Sequence, residues 1–191
     1  MFFQVSAIAI LTAFYGVNIS KVILQSRQSI KTNQMGIGNK PKKVLLIERI
    51  MGVATVFAVV LEIGSIFLVK NFPAVPIRIA GLLIGVLADI FFASAVITMK
   101  NSWRVGIPEE KTALVTNGIY QWSRNPAFVG FDLSYLSMCL LFFNIPLLVV
   151  SLWAAVMLHL QILQEEEHMK NMFGNAYIAY AEHTARYFGK K

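Results

Sequence analysis

Two short polar stretches interrupt an otherwise apolar chain, and both carry residue types able to do chemistry. The first is Gly118-Ile119-Tyr120, followed by Arg124-Asn125-Pro126-Ala127-Phe128-Val129-Gly130. Pro126 disfavours helix at Asn125 and suits the first turn of a helix that begins there, so Asn125 reads as its N-cap. The unpaired N–H groups of that turn, with the donor fork of Arg124 just outside it, make an anion-binding corner. Tyr120 and Phe128 offer flat aromatic surfaces beside it, and Gly130 permits close approach of another helix. The second stretch is Glu165-Glu166-Glu167, followed by Phe173-Gly174 and Tyr177. Successive helical residues point about 100° apart, so one carboxylate can face a cationic ligand or Arg124 while another faces water. The bland reading stays open beside this one: arginine and aromatics as an interfacial anchor, glutamates as a solvated face.

The elements that must position these residues are membrane helices. Of 191 residues, 57% are hydrophobic and 14% charged; a soluble domain carries about 25% charged residues. Mean hydropathy is +0.62. Long apolar runs without short alternating segments indicate an all-α integral membrane protein and exclude a β-barrel. The chain reads as a single membrane domain, residues 1–191, with five transmembrane helices near 2–24, 47–69, 77–99, 127–143 and 146–163. A helical tail closes the chain, and the polar chemistry falls in region 112–186. The N-terminus lacks a basic n-region and a small-residue cleavage site, so it reads as a retained span.

Charge gives the orientation. With five spans, only Lys70 and Arg78 of the 17 Lys and Arg fall on one side; the rest, Lys111 and Lys191 among them, fall on the other. Positive residues face the cytoplasm, so the N-terminus is expected outside and the C-terminus and both polar stretches in the cytoplasm. The net charge of +7 thereby reflects membrane topology, and no nucleic-acid partner is expected. Glu62 and Asp89 lie inside spans, where ionisable residues are costly and default to functional candidates or to polar seams between helices. Cys139 is the single cysteine, so no intramolecular disulfide forms. The 3 histidines stand far from one another, and no metal site is expected.

Taken together, Gly118-Ile119-Tyr120, then Arg124 with Pro126, Phe128 and Gly130, an apolar hairpin, and Glu165-Glu166 with Phe173-Gly174 and Tyr177 resemble the isoprenylcysteine carboxyl methyltransferase family and its phospholipid-methyltransferase relatives. The resemblance covers about the C-terminal 90 residues. It implies an S-adenosylmethionine-dependent methyltransferase of the membrane, in a prokaryote the cell membrane, with its site facing the cytoplasm. By that resemblance Thr112, Ala113, Leu114, Val115, Tyr120, Asn125, Pro126, Ala127 and Phe128 line the cofactor. Glu165 takes its ammonium, while Arg124 and Glu166 complete a polar catalytic cage. The acceptor is expected to be a lipophilic or lipidated molecule entering from the bilayer among membrane lipids, with Gln161 and His159 on its side of the site.

The chain departs from the family pattern at three positions. Asn125 replaces the usual histidine and Phe128 the usual tyrosine. Gln161 stands where prenylcysteine enzymes carry an arginine that holds the substrate carboxylate. A neutral amide is a poor carboxylate clamp, so the acceptor is expected to differ from the standard prenylcysteine carboxylate. Two other readings remain: a non-catalytic membrane scaffold, and an NADPH-dependent membrane reductase, whose relatives share the arginine–proline region but are larger.

Overall fold

The computed structural model describes residues 1–110 and 112–190; Lys111 and Lys191, counted above for orientation, lie outside the described residues. Apolar runs fold as helices because a helix satisfies its own backbone groups where water is absent. Six α-helices result: α1 (Phe2–Ser26), α2 (Lys42–Leu68), α3 (Val75–Met99), α4 (Pro126–Leu141), α5 (Ile145–Phe173) and α6 (Asn175–His183). Among the described residues there is no strand, only isolated bridges joining Asn33 to Val105 and Thr184 to Lys190.

Four helices, α1, α2, α3 and α5, are long and apolar enough to cross a membrane. The fourth helix in chain order, α4, is shorter, with 16 residues, about 24 Å at 1.5 Å per residue. Its limits are local: Pro126 opens it, and Asn144 caps the next helix by accepting from Leu147 N at 2.9 Å. The helix that follows overruns its expected end at residue 163 and continues unbroken to Phe173. Residues 164–172 contain no breaker, and the chain turns only at Gly174, where φ is +54°.

Around the bundle α1 packs on α3, α3 on α4, α4 on α5 and α5 on α2. The pair that would close this ring, α1 and α2, meets only lightly. The α3–α4 contact is the closest: Ser137 Oγ donates to Gly81 O at 2.7 Å. A Cβ added to Gly130 would stand 3.1 Å from Phe92 N and 3.2 Å from Ala88 O, so this glycine lets the two backbones approach. At the end of the bundle away from the polar stretches, buried Arg78 lies over Phe3 and Phe72, 4.0 and 4.3 Å from the ring centroids. It also donates to Leu141 O at 3.1 Å. At the other end Phe14, Phe92, Trp103 and Tyr120 form an aromatic cluster on which the site rests.

Candidate functional site

Asn125 occupies the N-cap position of α4, yet its side chain makes no capping bond. Its Nδ2 instead donates to Arg186 O at 3.2 Å and Glu166 Oε1 at 3.4 Å. The anion-binding corner expected at Arg124 is likewise closed from within. Arg124 donates to Glu166 Oε1 from Nε at 3.2 Å and from Nη2 at 2.7 Å, and its Nη1 donates to Ala181 O and Thr184 O, each at 2.9 Å. Arg186 approaches the same carboxylate, donating to Oε1 at 3.1 Å and Oε2 at 2.9 Å. The reason is tertiary: α5 continues far enough to bring Glu166 beneath Arg124, and α6 returns the chain over both. Residues 184–189 then strap this corner, with Arg124 N donating to Ala185 O at 3.0 Å and Gly189 N to Trp122 O at 2.7 Å.

A second wall comes from residues 102–110. Val105 N donates to Thr32 O, and Gln34 N to Val105 O, both at 2.9 Å. Fully buried Glu48, near the start of α2, gathers donors from two loops: Gly36 N at 2.7 Å and Lys40 Nζ at 2.8 Å from one, and Ile107 N at 2.8 Å from the other. Gly106 is required here, because its φ is +84° and a Cβ would stand 2.8 Å from Met35 Cα. At the rim Gln34 Nε2 donates to Glu110 at 2.8 and 2.7 Å, and Arg104 Nε donates to Glu110 Oε1 at 2.6 Å.

Between these walls lies a cavity of about 370 Å³, a size suited to a small ligand. Thr112, Ala113, Leu114, Val115, Tyr120, Arg124, Asn125, Pro126, Ala127, Phe128, Glu165 and Glu166 all line it. The two polar stretches therefore meet in one space. The glutamates divide as their helical spacing requires: Glu165 lines the cavity, Glu166 closes the arginine cluster, and Glu167 is exposed. Glu165 Oε1 accepts from Gln161 Nε2 at 3.0 Å. Burial pushes the phenols of Tyr120, Tyr177 and Tyr180 up, that of Tyr177 to about 12, so each is neutral at pH 7. Tyr180 donates to Tyr120 O at 2.6 Å.

Gln161 and His159 lie apart from the cavity lining. The first is fully buried behind Glu165, and the second pairs with the Tyr187 hydroxyl. Several lining residues escaped the sequence reading: Tyr15 and Asn18 of α1, Thr55 of α2, Trp103, His168, and Tyr180 of α6. Asn18 and Tyr15 carried a signal, being polar groups within an apolar span. Glu62 accepts from Tyr15 Oη at 2.8 Å, which gives that buried carboxylate a partner. Among the described residues no three His, Cys, Asp or Glu converge as metal ligands.

Residues 76–176 match the family described as Phospholipid methyltransferase. That segment runs from the start of α3 into α6 and so includes the first polar stretch whole and the second as far as Gly174. No curated protein matches the chain.

Proposed function

The chain belongs to the phospholipid methyltransferase family, and from that premise we propose that it transfers a methyl group from S-adenosylmethionine to a lipophilic acceptor held in the membrane. The observation that carries this reading is the single cavity in which Glu165, Asn125, Tyr120 and residues 112–115 face one another. The donor set fits the cofactor. Glu165 offers a carboxylate to an ammonium and a sulfonium, Tyr120 and Phe128 offer flat faces to an adenine, and residues 112–115 offer backbone groups.

When bound there, S-adenosylmethionine supplies an electrophilic methyl group. The protein's part is alignment and exclusion of water, and no residue has to serve as a covalent nucleophile. Glu165 orients, Tyr120 and Phe128 clamp, and the aromatic cluster of Phe14, Phe92 and Trp103 backs the site. Arg124 and Glu166 act as positioning residues in this scheme. Their pairing with Arg186 holds the strap over the site.

The reading includes five membrane crossings, with α4 as the short one, the N-terminus outside and the C-terminus in the cytoplasm. The one-sided distribution of Lys and Arg supports it, and local thinning of the bilayer accommodates a helix of about 24 Å. Isothermal titration of the detergent-purified chain with S-adenosylhomocysteine tests the cofactor assignment. Saturable one-site binding is expected, and a chain that binds none of it removes the reading. NADPH bound in its place would turn the assignment to a reductase.

A further inference from the structure

One wall of the cavity is built by α1 and α2. Tyr15, Asn18 and Val22 follow one face of α1, and Met51, Thr55 and Val59 one face of α2, spacings of three and four residues that bring successive turns to the same side. These two helices meet only lightly. Val22 and Val56, both cavity-lining, are 36% and 62% exposed, so the cavity continues outward between the helices to the surface that faces lipid. An apolar cleft open to the bilayer suits a hydrocarbon chain.

Three residues of the described lining, Trp103, Asn18 and His168, each carry a buried polar atom without a partner, and the first two lie by the aromatic cluster. Trp103 is 7% exposed, lines the cavity, and has a buried Nε1–H with no hydrogen-bond acceptor. Indole N–H can only donate, and a buried donor left unpaired is costly. The Oδ1 of Asn18 is buried and unpartnered too. These atoms flank one aromatic cluster. Asn18 lies one turn beyond Phe14 on α1, Phe14 stacks on Phe92 at 4.4 Å, and Trp103 meets the edge of Phe92 at 5.8 Å. Both arginines of the described lining are committed, Arg124 to Glu166 and Arg104 to Glu110 and two carbonyls, which leaves His168 as the one basic side chain there for an anionic head. A cationic head would be drawn to Glu165, which the cofactor already requires.

We propose that this cleft binds a lipid with an uncharged hydroxyl head, the hydroxyl accepting from Trp103 Nε1–H and donating to Asn18 Oδ1 while the tail lies between α1 and α2. A hydroxyl offers one acceptor and one donor, the complement of these two atoms. The proposal concerns which lipid the site binds, and so rests on the methyltransferase reading.

The test uses the full chain in phosphatidylcholine nanodiscs carrying Trp122→Phe and Trp153→Phe, which leaves Trp103 as the single emitter among the chain's 3 tryptophans. It is titrated with 1-dodecanol, dodecanoate and dodecyltrimethylammonium. Trp103 emission should respond saturably to the alcohol, on the order of tenfold more tightly than to either charged analogue, and Asn18→Leu should weaken the alcohol by about tenfold. Equal affinity for the three, tighter binding of dodecanoate, or unchanged alcohol binding by Asn18→Leu overturns the proposal. Calorimetric titration of the unmutated chain repeats the ligand comparison without depending on how a variant folds. Titration with S-adenosylhomocysteine separates the two levels. Alcohol selectivity without cofactor binding leaves the lipid subsite standing and removes the methyltransferase reading, and cofactor binding without alcohol selectivity does the reverse.

Discussion

Two walls of the cavity are held in opposite ways. The wall made by α4, the end of α5 and the C-terminal strap is fixed by charge. Arg124, Glu166 and Arg186 interlock, and backbone carbonyls of residues 181, 184 and 186 are drawn in with them. The wall made by α1 and α2 is apolar, partly exposed and loosely closed. A wall whose charges satisfy one another has a single low-energy arrangement, because each donor displaced leaves a buried charge unpaired. An apolar wall accepts many contents at similar cost. The first is suited to one fixed polar ligand, and the second to a lipid whose tail length varies.

Removing one carboxylate should separate the walls most sharply. Glu166→Ala leaves Arg124 and Arg186 without their counter-charge, and Arg124 has a side chain only 7% exposed. The expected loss is about 3–5 kcal/mol, read from chemical unfolding in detergent. Val56→Ala on the lipid-facing wall should change stability by no more than about 0.5 kcal/mol. Similar losses from the two substitutions would dissolve the distinction between a charge-locked and a loosely closed wall.

Glu165 sharpens the comparison from inside the charged wall. Its neighbour Glu166 is locked, whereas the hydrogen bond described for Glu165 comes from the amide of Gln161. Glu165→Gln should therefore leave the unfolding midpoint near that of the parent. Its affinity for S-adenosylhomocysteine should fall on the order of tenfold to a hundredfold, the worth of a hydrogen bond to a charged group. A large loss of stability with unchanged affinity would exchange the roles assigned to the two glutamates.

The charged wall was largely legible in the sequence and the lipid wall was not, for a physical reason. Proline, arginine and paired glutamates at fixed spacing are rare in apolar chains, so Arg124, Pro126, Glu165 and Glu166 announced themselves. What they did was harder to read. Asn125 has the residue type of an N-cap, but Arg186 O and Glu166 compete for its amide from 61 and 41 residues away. Local sequence records nothing of that competition. Tyr15 and Asn18 carried a signal as polar groups within an apolar span, but hydropathy does not tell which face of α1 turns toward the cavity. The family resemblance puts Gln161 on the acceptor's side of the site; its amide donates to Glu165 from behind the cavity lining. The short helix after Pro126 was legible as well: the span read at 127–143 is α4, Pro126–Leu141, with Asn144 capping α5.

The smallest expected effect lies at the rim of the wall built by residues 102–110, the second wall of the site, where charge meets solvent. Gln34, and then Arg104, hold the Glu110 carboxyl below its ordinary range by hydrogen bonding to its ionised form. A carboxylate whose folded pKa is depressed adds stability above its unfolded value, about 4.3. That contribution is lost as pH falls through the lower folded value. Glu110 is nearly half exposed, with a side-chain accessibility of 46%, so solvent screening limits the gain to under about 1 kcal/mol. The difference in melting temperature between the parent chain and Glu110→Gln isolates this group from other titrating carboxylates. It should be present at pH 7 and shrink on acidification below about pH 4. A difference that stays constant across that range would mean the rim is held by Gln34 as a neutral contact, and that charge has no part in closing the second wall.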